Sequence, residues 1–461
     1  MDETTPACFK YPNADKSTTL AHPPWLSTVK VHSYTGVADC SVLECQGSRS
    51  SGATSRRGNA QRPARRPSMN TPPSNNTLNT AGSPDLSFGT PPLKDGTVIN
   101  TRTAGISRVL EDGSTITAGP YSEPDGPFIG ITKQTPTGEN DARFGRGLTA
   151  MQQRQTFIDM LIQPNGRQLL LATHINNVAV SISRFNEANG NSDFRFGNNG
   201  EVVLNKRIEL NLNSKAGLAL QSDDKIICVF NDGTSSFIYQ LSSSGQELNF
   251  GFLDPLEERG ALMGPVLTTE RGFLIAGSIN GKALIKGFTH AGEADTAFGN
   301  AGYVQLELSG TGEKQASALA KGPDGRIVVV GGEHRLPRKQ NFVTSLLANG
   351  QPDPQFNGGI PKENDARHGS YDSVTVQPDG KIVVLWRNTN GSLVELTRYT
   401  ATGQLDLTFG DQGVADAWRD PQSRPQISNI NKLEWVNAGE TLQTSGVLEG
   451  VHSFIGRLLS Q

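Results

Sequence analysis

Two histidines have the residue type and the spacing that acid–base chemistry would need. His174, in the segment LATHIN, and His334, in GGEHRLPRK, follow a turn glycine by eight and nine residues in two similar stretches. Histidines from two such stretches could serve as general acid and general base in a lyase or a hydrolase. No carboxylate motif accompanies them, and the sequence has no H-E-x-x-H, G-x-S-x-G or Gly-Lys-Ser/Thr motif. We therefore expect a binding protein more than an enzyme, with these two histidines as the catalytic candidates.

Aromatic and basic side chains in the second half of the sequence are the candidates for binding. Trp386 and Arg387 are adjacent in VVLWRN, and Trp418 follows in VADAWRD. Arg335 and Arg338 belong to the basic stretch EHRLPRKQN. Tryptophan and arginine are common anchors of protein interfaces and of sugar sites, although tryptophan also packs in cores and basic loops are often simply solvated. These residues suggest a protein or peptide partner first and a carbohydrate second.

A third set of side chains is repeated. The phrase Gly-x-x-Asp-x-x-Phe occurs six times, and its aspartates are Asp85, Asp141, Asp193, Asp295, Asp353 and Asp406. A calcium ion needs about six to eight oxygen ligands in one site, whereas each phrase offers a single carboxylate. We predict that the aspartate accepts backbone N–H groups in a turn, that the phenylalanine fills space between repeats, and that the glycine has a positive φ. We expect no metal and no cofactor.

The spacing of the phrase defines the elements that would carry these side chains. Its phenylalanines recur every 48 to 58 residues if the degenerate copy GQELNFG is included. Between them stand seven hairpin segments such as VQPDGKIVVLW, in which a turn pair separates two apolar runs. Four short strands in about 50 residues are typical of a β-propeller blade. A β-sandwich would show cleaner alternation of polar and apolar residues, and a solenoid would need distinctive capping repeats.

The two ends of the repeated region complement each other. The seventh unit stops at Gln461 before its phrase, whereas Gly82 opens a copy of the phrase that precedes the first hairpin. Residues 94–100, KDGTVIN, would then supply the outermost strand of the seventh blade, which closes the ring and leaves no broken blade interface. We predict an all-β fold, a single seven-bladed β-propeller of four-stranded blades over residues 81–461.

The segments QPDGKIVVLW and LTRYTATGQLDLTFGDQG resemble the delta-60 repeat, a bacterial repeat of the propeller type. The resemblance covers roughly residues 82–461 and implies a propeller, but it implies little about activity. Three places depart from the pattern: Asp224 stands where glycine is usual, GQELNFG lacks the aspartate, and the seventh hairpin has NAG in place of PDG. These departures put the turn geometry of units three and seven in question.

Residues 1–80 have a different composition. They lack apolar periodicity and include six arginines among Ser, Gly and Pro, which predicts a disordered, low-complexity segment. The composition changes near Met69, which is an alternative start of the protein. Residues 69–461 carry 33 Lys and Arg against 40 Asp and Glu, a balance that disfavours nucleic acid and anionic membranes as partners.

We therefore expect a monomeric, non-enzymatic binding or scaffolding propeller that contacts a protein or peptide through its loop face or central channel. A lectin-like carbohydrate binder and a lyase or hydrolase at the channel mouth are the alternatives. No apolar run is long enough to span a bilayer, and no secretory signal follows Met1 or Met69. The expected location is the cytoplasm, or outside the cell by a route without a cleaved signal.

Overall fold

Seven antiparallel sheets form a β-propeller. The structure is a computed structural model, and it describes residues 80–92, 94–100, 103, 105–123, 126–144, 155–163, 168–175, 179–204, 216–231, 236–253, 262–333, 340–364, 369–388, 393–417, 427–448 and 452–461. The segment 1–79, for which disorder is predicted, lies outside these residues. Among the described residues six sheets have four strands and the sheet of blade 1 has three, and the predicted β-propeller fold class is confirmed.

The blades are numbered in chain order, and the strands run outward from the centre of the ring. Blade 1 contains β2 (Ile106–Val109), β3 (Thr115–Glu123) and β4 (Gly126–Gln134). Blade 2 contains β5 (Gln155–Gln163), β6 (Gln168–Ile175), β7 (Ala179–Asn186) and β8 (Glu201–Val203). Blade 3 contains β9 (Ala216–Leu220), β10 (Ile226–Asn231), β11 (Ser236–Leu241) and β12 (Glu247–Leu253). Blade 4 contains β13 (Leu262–Thr269), β14 (Gly272–Ile279), β15 (Lys282–Thr289) and β16 (Tyr303–Gln305).

Blade 5 contains β17 (Lys314–Lys321), β18 (Ile327–Glu333), β19 (Asn341–Leu346) and β20 (Lys362–Asn364). Blade 6 contains β21 (Gly369–Val376), β22 (Ile382–Asn388), β23 (Val394–Tyr399) and β24 (Val414–Asp416). Blade 7 contains β25 (Ile427–Val436), β26 (Thr441–Leu448), β27 (His452–Leu459) and β1 (Thr97–Asn100). The first strand of each blade contacts the first strand of the next, and β25 contacts β2, so the ring is closed.

The apolar second strands are covered on both faces. In β18, Ile327 and Val329 belong to the core between blades 4 and 5, whereas Val328 and Val330 belong to the core between blades 5 and 6. Side chains alternate across a strand, so a strand buried between two neighbours must be apolar at every position. This requirement explains why runs such as RIVVVGG are continuously hydrophobic.

The repeated phrase forms the corner between the third and fourth strands of a blade. In each of the six copies the aspartate Oδ1 accepts the backbone N–H of the residue two positions later, as Ser87 donates to Asp85 at 3.0 Å and Thr408 to Asp406 at 3.1 Å. All six phenylalanines are buried, and all six glycines have a positive φ. The predicted structural roles of the three residue types are confirmed.

The corners also lock neighbouring blades together. At five of the junctions that the structure describes, the residue after the phenylalanine of one blade donates its N–H to the carbonyl before the glycine of the next, as in Gly89 to Thr137 at 3.0 Å and Gly410 to Ala81 at 2.8 Å. The glycine lies against the preceding blade's phenylalanine, because a Cβ on Gly403 would approach the Phe356 ring to 2.9 Å. Only glycine leaves room for this contact at a positive φ.

Blade 3 is the exception to this arrangement. Its phrase lacks the aspartate, and the chain passes from the turn at Ser242–Gly245 directly into β12. The glycine of the next corner, Gly292, has nothing within 4 Å of a Cβ built on it. In place of the interlock, Gln240 donates its Nε2 to the His290 carbonyl at 2.6 Å.

The other two departures keep their turns. Asp224 adopts the φ of +61° that glycine would favour, and the N–H of Gln221 bonds the carbonyl of Lys225 at 2.9 Å across the turn. In blade 7 the NAG sequence forms a 3-10 turn at Asn437–Gly439, followed by Glu440 with φ +48°. The hairpin therefore survives in both blades.

The N-terminal strand completes blade 7, as predicted. β1 pairs with β27 in an antiparallel register that sets Thr97 opposite Gly456 and Ile99 opposite Phe454. The corner that precedes β1 also pairs with β27, because the Asp85 N–H donates to the Arg457 carbonyl at 2.9 Å. Phe88, Val98 and Ile455 form the core cluster of this junction.

Candidate functional site at the central channel and the variable end

The two ends of the ring differ. One end, here called the turn end, carries the hairpin between first and second strands and the corner between third and fourth strands. The opposite end, the variable end, carries the remaining connections, whose lengths differ from blade to blade: four residues (365–368) join β20 to β21, whereas twelve (204–215) join β8 to β9. The first strands surround the central channel between the two ends.

A buried arginine at the turn end contacts both the aspartate and the phenylalanine of the corner. Arg398 donates its Nε to Asp406 Oδ2 at 2.8 Å and stacks over the Phe409 ring, 4.5 Å from the centroid. Its Nη1 also donates to the Ser460 carbonyl of blade 7. We call this set the corner clamp, because one guanidinium ties a blade's own corner to the neighbouring blade.

Blade 2 contains the same clamp, and blade 7 shares its contact between arginine and phenylalanine. Arg184 pairs with Asp193 at 2.9 Å over the Phe196 ring, and Arg457 stacks over Phe88 at 4.1 Å. Arg457 also donates to the Pro136 carbonyl of blade 1 at 2.8 Å.

In some blades the third-strand position that corresponds to Arg398 is not basic. There, an arginine from the hairpin between the first and second strands contacts the corner aspartate. Gly287 occupies that position in blade 4 and Ser345 in blade 5. Arg271 then makes two hydrogen bonds of 2.8 Å to Asp295, and Arg326 lies 3.5 Å from Asp353. Sequence reasoning missed the clamp, although the alignment of Arg457 with Arg398 in the third strand was a signal that could have revealed it.

The clamps shift the pKa values of the groups that form them. Burial acts to raise the pKa of Asp406, but hydrogen bonds from Thr408 and the positive charge of Arg398 outweigh it and hold this pKa below its usual value. The pKa of Asp193 is lowered against the same opposition from burial, by hydrogen bonds from Arg195 and the charge of Arg184. Burial lowers the pKa of Arg457 to about 10. These groups are ionised at neutral pH and serve the fold.

A second ionic cluster lies at the channel wall, on the first strands of blades 7, 1 and 2. Asp159 accepts Arg108 Nη2 at 2.8 Å and the backbone N–H of Leu218 in blade 3 at 2.9 Å. Glu434 accepts the N–H of Val109 at 3.1 Å, and its Oε1 lies 3.8 Å from Arg108 Nε. These carboxylates bind N–H groups that the inner edges of the sheets leave without a strand partner, so they join blades.

Lys432 lies beside this ionic cluster. It is partly buried on β25, and within the described residues it has no ion-pair partner at bonding distance. Its pKa is lowered by the nearby charge of Arg108 and by burial, while Glu434 and Asp159 act in the opposite direction. The charge of Arg108 and burial thus disfavour the charged form of Lys432, whereas the two carboxylates favour it.

Of the two candidate histidines, the structure describes the backbone of His174. His174 is in β6 of blade 2, with its backbone opposite Val180 and Thr156, and His334 lies outside the described residues. β18, which ends just before His334 in sequence, belongs to blade 5, and blades 3 and 4 separate it from blade 2 on the shorter path around the ring. Both are second strands rather than channel strands. The catalytic pair remains a prediction.

The binding candidates predicted from the sequence differ in where they lie and in how exposed they are. The Trp386 side chain is only 5% exposed and packs in the core between blades 5 and 6, so its ring cannot serve as a surface for a sugar or a peptide. Arg387 is partly exposed and pairs with Asp372 at 2.7 Å. Trp418, Arg335 and Arg338 lie outside the described residues.

Described polar groups line the variable end at blades 5 and 6. Lys314, at the start of β17, pairs with Glu333, at the end of β18, at 3.1 Å. The pair of Arg387 and Asp372 occupies the corresponding end of blade 6. Ser309 donates its backbone N–H and its hydroxyl to Glu363, both at 2.8 Å. This end therefore presents fixed charges of both signs.

No group of three or more potential metal-ligating side chains occurs among the residues that the structure describes. Over the same residues, no helix has the length and the apolar character needed to cross a membrane.

Comparison with known proteins assigns no family. No family model matches the chain, and no curated protein matches it. Raptor from Chaetomium thermophilum aligns with a TM-score of 0.48 and 10% identity over 83% of this chain and 29% of that one, so the match spans less than a third of Raptor. A protein from Lactobacillus plantarum aligns at 0.46, with 13% identity over 68% and 86% of the two chains. The β-propeller domain of the Trilobed protease from Pyrococcus furiosus aligns at 0.43, with 9% identity over 77% and 95%. The delta-60 resemblance remains a prediction.

Proposed function

We propose that the protein is a non-enzymatic binding or scaffolding propeller that contacts a protein or peptide partner at the variable end of the ring. The observation that carries this proposal is the contrast between the ends. At the turn end, the side chains that recur from blade to blade form turns, clamps and contacts between neighbouring blades. Residues that differ between blades concentrate at the variable end, and in a repeat fold the shared residues serve the fold while the unshared ones are free to serve recognition.

The chemistry of the variable end supports a polar partner. The ion pair of Arg387 and Asp372 is partly exposed there and holds its charges in place, so little side-chain entropy would be lost on binding. We place this activity in the cytoplasm, where the buried thiol of Cys228 remains unpaired, as it is in the structure.

The test uses two ion pairs of the same blade at opposite ends. Arg387 and Asp372 lie 2.7 Å apart at the variable end, whereas Lys381 and Asp379 lie 3.0 Å apart at the turn end. Each pair is replaced by two alanines, so that both variants lose one charge of each sign. Partners captured from the native source are identified by mass spectrometry, and their affinity is then measured with purified proteins.

We expect the Arg387→Ala/Asp372→Ala variant to weaken partner binding about tenfold or more, as loss of interface charges commonly does. The Lys381→Ala/Asp379→Ala variant should bind as the unmodified protein does. Equal affinities for the two variants, or a loss confined to the turn-end variant, would contradict the proposed surface. Failure to recover any saturable partner would remove the proposed function.

A further inference from the structure

The outermost strand of blade 3 differs from those of the other blades. β12 has seven residues, whereas β8, β16, β20 and β24 have three each and β1 has four. It pairs with β11 from Leu241 opposite Glu247 to Ser236 opposite Leu253, with one bulge near its start. Residues that would build the corner in another blade extend the sheet here, because the phrase has lost its aspartate.

One edge of β12 has no strand partner among the described residues, since β12 ends the sheet order of blade 3. An open edge offers a row of N–H and C=O groups that another strand can bond. Proteins protect such edges by keeping them short, by placing charged residues, especially Lys, or Pro on them, or by a β-bulge. In β12 the bulge at Leu248 and the charge of Glu247 both lie at the start of the strand, so residues 249–253 have neither. The sequence ELNFGFL has no Lys, Arg or Pro, and its second residue, Leu248, is 41% exposed.

We propose that β12 pairs with β12 of a second copy of this chain to form an antiparallel, two-fold symmetric dimer. With Phe250 opposite its own copy, Asn249 faces Gly251, Leu248 faces Phe252 and Glu247 faces Leu253. The strand's ionisable side chain, Glu247, then lies at opposite ends of the two-strand ladder in the two copies, so no like charges meet. Apart from Leu248, which forms the bulge of β12, self-pairing thus places compatible residues opposite each other along the edge.

The symmetry limits the assembly to two copies. Each chain has one long outer strand among its described blades, and an antiparallel strand pair uses the same surface on both partners, so the contact closes on itself. A dimer of this kind leaves the variable ends of both rings free. The proposal replaces the monomer expected from the sequence and does not depend on the proposed partner-binding function.

The test measures the mass of the full chain by sedimentation and light scattering over a wide range of concentration. We expect the mass to rise from 49.4 kDa toward twice that value. Leu248→Lys, which places a charge on the edge, should raise the dimer dissociation constant at least about tenfold. Val203→Lys is the matched control, because Val203 is an exposed apolar residue of the outer strand of blade 2 and is 48% exposed. It should leave the dissociation constant unchanged.

A cross-link provides a second measurement that does not depend on the charge variants. In the proposed register residue 250 faces its own copy, with Cβ atoms about 5 Å apart, so Phe250→Cys should give a covalent dimer on mild oxidation. The unmodified chain under the same conditions is the control for its natural cysteines. A mass of 49.4 kDa at every concentration would overturn the proposal. Equal weakening by Leu248→Lys and Val203→Lys would also overturn it, since the copies would then meet elsewhere. Loss of partner binding without any change in mass would bear on the proposed function alone.

Discussion

At the scale of single residues, the repeated polar side chains of this protein lie in the corners and stabilise them. Each corner aspartate caps a turn with one oxygen, and in several blades its other oxygen receives an arginine. That arginine lies over the corner phenylalanine and reaches a carbonyl of the next blade, so a charge, an aromatic ring and a backbone group of two blades meet in one place. Six repeated carboxylates are residues that metal binding or catalysis could use, but their geometry is that of capped turns.

We expect removal of the clamp arginine to lower the free energy of unfolding substantially. Arg398→Ala would leave Asp406 buried beside an empty volume, and breaking a buried pair in this way costs about 3–5 kcal/mol. Arg143 also pairs with a corner aspartate, Asp141, but its side chain is 89% exposed. Arg143→Ala should therefore change the free energy of unfolding by less than about 1 kcal/mol. Urea unfolding of both variants checks this, and similar losses in the two would contradict the clamp.

The clamps also predict acid sensitivity. The folded-state pKa of Asp406 lies below its unfolded value, so the stabilisation is complete above the unfolded-state pKa of about 4 and disappears as the pH falls through the lower folded value. The urea midpoint should therefore fall as the pH is lowered from about 5 to 3. Asp406→Asn should be less stable than the unmodified protein at neutral pH and should lose less on acidification. Parallel pH profiles for the two proteins would show that Asp406 does not carry this effect.

At the scale of elements, the corner glycines test whether blades are locked by contact or only shaped by backbone conformation. Gly138 and Gly292 have φ values of +89° and +84°, but a Cβ on Gly138 would approach Val98 Cγ2 to 2.8 Å, whereas nothing lies within 4 Å of one on Gly292. The backbone strain of the two alanine variants is therefore equal, and the blade contact is not.

We expect Gly292→Ala to cost about 1–2 kcal/mol from the left-handed backbone alone. Gly138→Ala should cost about 1–3 kcal/mol more, because the closing strand must move to accommodate the methyl group. Thermal and urea unfolding of the pair give the difference directly. If the two losses are the same, the glycine is present for the turn and the interlock contributes nothing.

At the scale of the whole molecule, stability depends on closure. Six of the seven core clusters of the described residues lie between two blades, and the seventh, formed by Phe88, Val98 and Ile455, lies within blade 7 and is built from both chain ends. Arg457 reinforces the junction of blades 7 and 1 by stacking over Phe88 and bonding the Pro136 carbonyl of blade 1. If this junction opens, the blades on either side of it each expose a face.

Two truncations measure the contribution of closure. Removal of residues 1–100 deletes the corner at Phe88 and strand β1, whereas removal of residues 1–79 leaves both in place. The longer truncation should lower the free energy of unfolding by at least about 3 kcal/mol relative to the shorter one, since a buried phenylalanine alone contributes that much. Equal stability of the two truncated proteins would mean that the ring does not need its closing strand.

The sequence by itself determined the architecture. Strand spacing, turn pairs and buried apolar runs obey local rules that repeat in every blade, and the split phrase at the two ends specified which strand closes the ring. The roles of Asp85 and its five counterparts also followed from the sequence, because a turn is a local structure. Candidate surfaces were harder to predict: Trp386 has the residue type of a binding anchor, yet the core between blades 5 and 6 covers it.

Tertiary structure decided what depends on contacts between residues far apart in the chain. Arg457 donates to carbonyls more than 300 positions away, and the channel cluster joins Asp159 to Arg108 and Leu218, none of which any local pattern pairs. The same holds for β12, whose missing aspartate was visible in sequence while the long open edge that results was not. A local pattern fixes the conformation of its own segment, but only the folded ring determines which segment it faces.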